Sequence, residues 1–340
     1  MAIRISACYI TKNEEHTLAR SLTSLKGQVD ELIVVDTGST DNTVAVAKEY
    51  GAQVYHYEWT HDFAAARNAA LKKATGDWII FLDADEILHN TIEIKLSEII
   101  ESDSDGGGYI FSLCNIDEES GKEFDKTWVL RMFPNKDNLR YVGSIHEELR
   151  DKGKCIADLK MITPDAVSII HTGYSLKYNK EKNTRNLKLL LSALKTDYEP
   201  KRLYRYLADT YSQLGDEVEA VRYAELDIAM GRRSIVYASQ SYHIILAILA
   251  RYPQMLTQRL HFARGAVTDY PELPEFWAEL AQCYNLAGDK YKAVELLKKA
   301  LNVQQPIYSL EPRQFDDAIR QLVVSQIKNW SSIDKNFTLT

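Results

Sequence analysis

The sequence predicts an α/β domain with a mostly parallel sheet, followed by an all-α domain built from repeated helix pairs. Three observations indicate this organisation of the 340-residue chain. Short apolar runs alternate with helical patterns in the first half, glycine and strand signals fade after about residue 179, and a helical motif occurs twice in the second half. We therefore expect a first domain over residues 1–178 and a second over residues 179–335.

Four apolar runs in the first domain have the length of buried strands, and the segments between them have helical spacing. The first of these segments stops at Gly27, and the second can be capped by Ser39 or Thr40 and ended by Gly51. Strands and helices that alternate at this spacing are typical of βαβ units, in which the strands run parallel. The four runs are ISACYI (5–10), ELIVVDTG (31–38), QVYHYEW (53–59) and WIIFLDAD (78–85).

Further strands, joined by longer loops, are expected between residues 108 and 174. This part of the chain has apolar or alternating runs without a helical pattern between them. The runs are GYIFSL, TWVLRMFP, SIHEEL and SIIHTGY.

The second domain contains an internal repeat. LADTYSQLGDEVEAVRYAELDIA (207–229) matches LAQCYNLAGDKYKAVELLKKALN (280–302), with a shared Gly-Asp pair in the middle of each copy. The pattern resembles tetratricopeptide helix pairs, and a degenerate middle unit lies around residues 242–253. Stacked helix pairs usually present a surface for another protein or another subunit, so this domain is expected to dimerise or to dock an acceptor.

Bulk composition excludes several classes of protein. The chain is 45% hydrophobic with a net charge of −7, and no basic patch indicates a nucleic-acid partner. The four cysteines are scattered without a C-x-x-C motif, which is typical of reduced thiols in a cytoplasmic protein. The N-terminal residues lack the apolar core of a signal peptide, and no transmembrane segment is expected.

Three carboxylates follow the fourth apolar run within four positions, at Asp83, Asp85 and Glu86. A single Asp after a strand is often only a turn former. Here, however, polar motifs also follow the first two strands, at 11–14 and 36–39, and ligands of parallel sheets bind beyond the carboxyl ends of the strands. Oxygen ligands suit Mg²⁺ or Mn²⁺, which keep positions open for phosphate oxygens. The pattern therefore predicts a site for a metal-bridged diphosphate.

Over roughly residues 4–175 these motifs resemble the family 2 glycosyltransferases of the GT-A fold. The segment WTHDFAAARN, together with a helical-repeat tail, is most similar to the branch that contains the bacteriocin S-glycosyltransferases of the sublancin type. The resemblance implies an inverting transfer of a sugar from a UDP-sugar, assisted by Mn²⁺ or Mg²⁺. The segments that carry the resemblance are ITKNEEHTLARSLTSL, DELIVVDTGSTDNTVAVAKEYGAQ, WTHDFAAARN, WIIFLDADE, GSIHEEL and HTGY.

The resemblance also implies roles for individual residues. Asp85 is expected to be the main metal ligand. Asp83 is expected to hold the ribose or to orient or complete the metal shell, and His171 is expected to contact the metal or the diphosphate. Many relatives carry a second Asp at the position of Thr37, so recognition of the base is expected to differ here. The residues expected to bind the nucleotide-sugar are Thr11, Asn13, Glu14, Asp36, Thr37, Arg67, Asp83 and Ala84. Asp62 is expected to hold Arg67 or to contact the sugar, and the alternative for both residues is a surface ion pair.

Displacement at the anomeric carbon needs a base that takes the proton of the acceptor. The segment GSIHEELR lies where the family usually places this base, and Glu147 is the first candidate, with Glu148 second. In a regular strand His146 and Glu148 share one face and Glu147 lies on the other, so only one set can face the site. A thiol acceptor would need less help, because it ionises nearer to neutral pH.

Several functions are compatible with these patterns. The first is a glycosyltransferase that acts on a peptide or protein side chain, and the second is one that acts on a glycan or a lipid-linked saccharide. A protein-interaction adaptor with a degenerate transferase head is the alternative of another class. A nucleotidyltransferase usually needs a basic glycine-rich first loop, and TKNEEHT is not such a loop.

Overall fold

A computed structural model describes residues 2–101, 107–117, 120–172, 180–233, 235–304, 310–311 and 314–332. The chain divides into two compact units. The first comprises residues up to 179 together with 191–198, and the second comprises 180–190 and the residues from 199 onward. The boundary expected at 178/179 lies outside the described residues.

The main sheet of the first unit has the order β3-β2-β1-β4-β7-β6-β12-β5, with β11 added beside β6. Strands β8, β9 and β10 form a separate antiparallel sheet. The strands are β1 (Ile5–Thr11), β2 (Glu31–Asp36), β3 (Gln53–His56), β4 (Trp78–Phe81), β5 (Glu86–Asn90), β6 (Gly108–Ile116), β7 (Glu123–Pro134), β8 (Leu139–Val142), β9 (Glu148–Asp151), β10 (Lys154–Cys155), β11 (Leu159–Met161) and β12 (Val167–His171).

The first four strands are parallel to one another, as the βαβ pattern predicts. The later strands make the sheet mixed, because β7 runs antiparallel to both β4 and β6, and β5 runs antiparallel to β12. The helices of this unit are α1 (Leu18–Ser24), α2 (Thr43–Glu49), α3 (Phe63–Leu71) and α4 (Leu96–Glu101).

Both faces of the central strands are buried, and different helices cover them. Ile5 and Tyr9 of β1 point into a core that includes Leu22 of α1. Cys8, between them, points to the opposite face, into a core that includes Ala70 of α3. Side chains of a strand alternate between its faces, so this arrangement places α3 against the face opposite α1.

Helix α2 begins later than its sequence signals predict. The helix starts at Thr43, after Asn42, and not directly behind Ser39 or Thr40. The reason is that the two expected capping residues are used elsewhere: the Ser39 hydroxyl accepts a hydrogen bond from the amide of Asn13, and the Thr40 amide donates to the Asn13 side chain. The end at Gly51, which has φ +78°, is as expected.

The predicted strand SIHEEL is shorter than its pattern suggests. Strand β9 begins only at Glu148, and residues 143–146 form a bend. Gly143 has φ +91° and His146 has φ +50°, values that an extended strand does not contain. The expected alternation of His146, Glu147 and Glu148 across one strand is therefore wrong.

The second unit contains helix pairs in which the predicted repeat is confirmed. Gly215 and Gly288 have φ +81° and +88° and end the first helix of each copy. Asp216 and Asp289 then cap the second helix through their side chains. Among the described residues from 180 onward, the α-helices are α5 (Lys180–Thr196), α6 (Tyr204–Leu214), α7 (Glu217–Ile228), α8 (Gln240–Leu249), α9 (Leu256–Asp269), α10 (Pro274–Leu286), α11 (Lys290–Asn302) and α12 (Asp317–Ser332).

The degenerate middle unit is also a helix pair, formed by α8 and α9. Tyr242 and Leu246 of α8 share a core with Ala263 and Ala266 of α9. In the described part of the chain, no helix has the length and apolar character needed to span a bilayer.

The repeated turn yields a stability prediction. A Cβ at position 288 would meet no atom within 4 Å, so the cost of a side chain there is conformational and not steric. We expect Gly288→Ala to lower the free energy of unfolding by about 1 kcal/mol, measured by urea denaturation. Gly288→Asn is the matched control and should lose less, because Asn tolerates positive φ. Equal losses in the two variants would contradict this account.

Candidate active site

The carboxyl ends of three parallel strands bring the polar motifs of the sequence to one edge of the sheet. Thr11 of β1 pairs with Asp36 of β2, and Cys8 of β1 pairs with Phe81 of β4. The loop that carries Asp83 and Asp85 therefore begins at the same edge as the loops after β1 and β2. The convergence expected from the sequence is confirmed for these strands.

The loop after β1 is hydrogen-bonded to the loop after β2. Asn13 has φ +59°, and its side-chain oxygen accepts a hydrogen bond from the Thr40 amide at 2.8 Å. The Glu14 amide donates to the Thr43 hydroxyl at 2.7 Å. The Glu14 carboxyl is half-buried, and burial together with the negative charges of Asp85, Asp41 and Asp83 raises its pKa.

Asp36 forms the turn that follows β2. Its carboxylate is 2% exposed and accepts hydrogen bonds from the amides of Gly38 and Ser39. His56, at the end of β3, approaches the same carboxylate at 3.5 Å and was not singled out from the sequence. Thr37 donates its hydroxyl to the Thr11 carbonyl at 3.0 Å. These contacts match the turn-forming role that an Asp after a strand often has.

Asp83 lies between two arginines. Arg67 Nη2 donates to Asp83 Oδ1 at 2.8 Å, and Arg131 Nη2 donates to Asp83 Oδ2 at 2.8 Å. Arg131 also bonds Glu86 at 2.5 Å, and Glu86 is 1% exposed. Burial alone would raise the pKa of Asp83, but the two guanidinium groups outweigh burial and lower it.

The direction of Arg67 differs from what the sequence suggested. The side chain points into this buried cluster and contacts the ring of Phe81 at 4.6 Å. The surface ion pair considered for Arg67 and Asp62 is absent, because Asp62 instead caps α3 by accepting a hydrogen bond from the Ala65 amide. Arg131 was not singled out from the sequence, since it lies inside an apolar strand pattern.

Asp85 lies apart from this cluster and contacts His171. His171 Nε2 is 3.1 Å from Asp85 Oδ2, and His171 Nδ1 is 2.7 Å from the side-chain oxygen of Asn115. The amide of Thr172 donates to the Asp85 carbonyl, which ties the end of β12 to the loop after β4. Burial lowers the pKa of His171, but the hydrogen bond to Asp85 and the nearby carboxylate charges raise it overall.

The two Asp residues therefore have different surroundings, although Ala84 alone separates them. Ala84 is buried in the core behind the loop. Asp83 is neutralised by two guanidinium groups, whereas Asp85 has one imidazole as its neighbour. Within the described ranges, no three His, Cys, Asp or Glu side chains lie close enough together to form a metal-binding group. Asp83, Asp85 and His171 are thus at one edge without forming one cluster.

Glu147 belongs to the Arg67 cluster, and Glu148 does not. Arg67 Nε donates to Glu147 Oε1 at 2.5 Å. Glu148 instead accepts hydrogen bonds from Arg150 and from the Tyr198 hydroxyl. The bend before β9 thus separates the two neighbouring glutamates.

Helix α3 fixes the strand that leads to this bend. The Asn68 side chain donates to the Tyr141 carbonyl at 2.8 Å and accepts from the Tyr141 amide at 2.9 Å. The Phe63 amide donates to the Ser144 carbonyl at 2.9 Å. The segment WTHDFAAARN therefore positions both Arg67 and the residues just before Glu147.

Comparison with known proteins identifies the family. The model of the family described as Glycosyl transferase family 2 matches residues 6–163. A TPR repeat-containing protein of Synechococcus elongatus is 33% identical over 310 residues, which cover 88% of this chain and 75% of that protein. The chain belongs to glycosyl transferase family 2. It is a glycosyltransferase with a GT-A-like first unit and a TPR-like helical region.

Two further matches have lower sequence identity to this glycosyltransferase. The SPbeta prophage-derived glycosyltransferase SunS of Bacillus subtilis is 28% identical over 234 residues, which cover 66% of this chain and 53% of SunS. The crystal structure of Staphylococcus aureus TarS 1–349 in complex with UDP-GlcNAc is 14% identical, with a TM-score of 0.41 and coverage of 88% and 90% of the two chains.

The Arg131 pairs make a prediction for the stability of this glycosyltransferase. Arg131→Leu leaves Glu86 buried without its cation and removes one of the two cations at Asp83. We expect the free energy of unfolding to fall by about 3–5 kcal/mol, measured by urea denaturation. The control Arg222→Leu breaks an exposed pair on α7 and should leave the midpoint nearly unchanged. Similar shifts in both variants would mean that the buried pairs contribute no more to the free energy of unfolding than an exposed pair does.

Proposed function

We propose that this enzyme transfers a sugar, with inversion, from a UDP-sugar to a side chain of a peptide or protein, assisted by Mn²⁺ or Mg²⁺. The observation that carries the proposal is the composition of one sheet edge. An Asp–His pair, Asp85 and His171, lies there together with a carboxylate, Glu147, that is held through Arg67 and Asp83. The uridine nucleoside is the one that the family resemblance implies.

The donor atoms of Asp85 and His171 fit a divalent cation. Adjacent ligand atoms of an octahedral metal with bonds of about 2.1 Å lie about 3 Å apart, and these two atoms are 3.1 Å apart. His171 Nδ1 lies 2.7 Å from the side-chain oxygen of Asn115, and Nε2 faces Asp85, so one tautomer can donate to Asn115 through Nδ1. A hydrogen-bonded outer partner of this kind is typical of metal-binding histidines. Asp85 and His171 would hold the metal, and a bound cation would neutralise charge on the leaving diphosphate.

Asp83 is better suited to orienting the donor than to binding the cation. Both of its oxygens already accept a hydrogen bond from a guanidinium group. This supports the sequence-based alternative in which Asp83 contacts the ribose or orients the metal shell. It leaves Asp85 as the carboxylate without a full counter-charge.

The nucleoside is proposed to lie against the loops after β1 and β2. Thr11 is 3% exposed, and its hydroxyl has no hydrogen-bond partner among the described residues, so it can bond a ligand. Asp36 already accepts two loop amides, but a carboxylate has about four acceptor positions. Asp36 therefore keeps the capacity to accept the uracil N–H. Asn13 and Glu14 support this site by joining the two loops.

Glu147 is proposed as the base. Among the described residues only its Oε1 is hydrogen-bonded, which leaves Oε2 to take the proton. The acceptor atom bonds the anomeric carbon as its proton passes to Glu147. The bond from that carbon to the diphosphate oxygen breaks, and UDP leaves with the electron pair. Attack from the side opposite to the leaving group inverts the configuration.

The proposed acceptor rests on the second unit. Helix pairs of this type stack into surfaces that bind extended partners. Val218 and Tyr291 occupy matching positions in the two copies of the repeat and are 78% and 75% exposed. The homodimer through this unit and the cytoplasmic location both stay predictions.

Nucleotide release tests the proposal. We expect UDP to be released from one member of a panel of UDP-sugars in the presence of Mn²⁺, and to be released faster when peptides with Cys, Ser or Thr are added. EDTA and Asp85→Ala should each remove most of this activity, because Asp85 is the proposed metal ligand. The measurement is a coupled UDP assay with mass spectrometry of the peptide.

The matched control is Asp30→Asn, at the opposite end of the sheet. Asp30 bonds the Ile5 amide before the strands begin, and we expect its variant to keep wild-type turnover. Full activity of Asp85→Ala would refute the metal assignment. Stimulation by oligosaccharides or lipid-linked saccharides, and not by peptides, would refute the acceptor.

The two neighbouring glutamates provide a second test of the chemistry. Glu147→Gln removes the base while keeping its size, so we expect kcat to fall by about 10²–10⁴-fold. Glu148→Gln should stay within a few-fold of wild type, since Glu148 bonds Arg150 and lies outside the cluster. The assay is peptide glycosylation at saturating donor. The opposite ranking of the two variants would assign the base to Glu148.

A further inference from the structure

Arg67 joins the proposed base to the aspartate that follows β4. One edge of its guanidinium reaches both carboxylates: Nε bonds Glu147 at 2.5 Å, and Nη2 bonds Asp83 at 2.8 Å. The side chain is 8% exposed, and its guanidinium carbon lies 4.6 Å from the centre of the Phe81 ring and 5.5 Å from that of Tyr141. A side chain enclosed in this way is fixed in place and does not extend into the cleft toward a phosphate.

We propose that Arg67 is a positioning residue that sets the orientation of Glu147 relative to the loop after β4, which carries Asp83 and Asp85. The inference rests on the proposed function, in which Glu147 is the base. It assigns to Arg67 a role other than the direct contact with the nucleotide-sugar expected from the sequence.

The local backbone shows why Glu147 needs such a support. It follows His146, which has φ +50°, and it precedes β9, so no strand pairing holds it. Without Arg67, Asp83 would keep its bond to Arg131, but among the described residues Glu147 would keep no side-chain hydrogen bond. A planar guanidinium that bonds both of them fixes their relative orientation, because its donors have a rigid geometry.

Helix α3 supplies the frame for this support. Asp62 caps the start of the helix, and Asn68 bonds both backbone groups of Tyr141. Arg67 therefore lies on a helix that is already hydrogen-bonded to the strand before Glu147. Glu147, Arg67 and the loop after β4 are thus joined by direct hydrogen bonds.

Arg131 is the natural comparison, because it shares Asp83 with Arg67 but has no bond to Glu147. It bonds Asp83 and Glu86 instead. The side chains of Arg67 and Arg131 are 8% and 12% exposed, and both pair with two carboxylates. A difference between their variants therefore reports on Glu147 and not on the loss of a buried ion pair in general.

The test is a double-mutant cycle with Arg67→Lys and Glu147→Gln. A lysine keeps the charge but lacks the two-point geometry, so we expect Arg67→Lys to lower kcat by about 100-fold, the effect of a displacement of about 1 Å. The KM for the UDP-sugar should stay within a few-fold. In the Glu147→Gln background, Arg67→Lys should lower kcat by less than about 3-fold, because its effect acts through the base.

Arg131→Lys is run in the same cycle as the control. Its effect should be the same in the wild-type and Glu147→Gln backgrounds. If Arg67→Lys lowers kcat by the same factor in both backgrounds, Arg67 has only a structural role and the inference is overturned.

Glu147→Asp gives a second approach if Arg67→Lys fails to fold, which circular dichroism would show. It keeps the carboxylate but withdraws it from Nε of Arg67, and it should lower kcat by about 100-fold as well. Wild-type turnover in this variant would overturn the inference. Failure of the proposed function looks different: the wild-type enzyme would transfer no sugar, or Glu147→Gln would keep its kcat.

Discussion

The first unit depends on a buried network in which two arginines face three carboxylates. Arg67 and Arg131 come from a helix and a strand, and their partners Asp83 and Glu147 come from loops 16 and 80 residues away from Arg67. Charged groups can be buried only when they are paired, because an isolated charge loses its hydration without compensation. The helix α3, the strand β7, the loop after β4 and the bend before β9 must therefore all be in place together.

This network also separates the roles of two aspartates that lie only two positions apart. The guanidinium groups of Arg67 and Arg131 each donate to one oxygen of Asp83, so its charge is paired although its side chain is 34% exposed. Asp85 is left with His171, and its charge is compensated only partly. Two aspartates separated by one residue therefore have different electrostatic environments, because both arginines pair with the same one of them.

Much of the fold and part of the site can be read from local sequence patterns. Apolar runs predict the first strands, their parallel order predicts that Asp36 and Asp83 lie at one edge, and the Gly-Asp pairs predict the turns of the helix pairs. These features depend on periods of a few residues. The position of β7 between β4 and β6 does not, because it arises from pairing over long distances. For this reason Arg131, which lies within an apolar strand pattern, was not recognised from the sequence as the partner of Asp83 and Glu86.

Competition between local signals explains other differences. Ser39 and Thr40 are good helix caps, but Asn13 uses them to join two loops, and no pattern within the helix itself reveals this. Similarly, Glu147 lies in a segment with strand-like alternation. The left-handed conformation of His146 breaks that alternation and directs Glu147 and Glu148 to different partners.

The placement of His171 has a practical consequence for fragments of this protein. The region that matches the family ends at residue 163, eight positions before the histidine. Strand β12 lies between β6 and β5, so a polypeptide that stops at residue 163 would lack it. The strand edges of β6 and β5 that pair with β12 would then have no hydrogen-bond partner. Such edges favour aggregation. Recombinant versions intended for ligand soaking should therefore extend at least through Thr172.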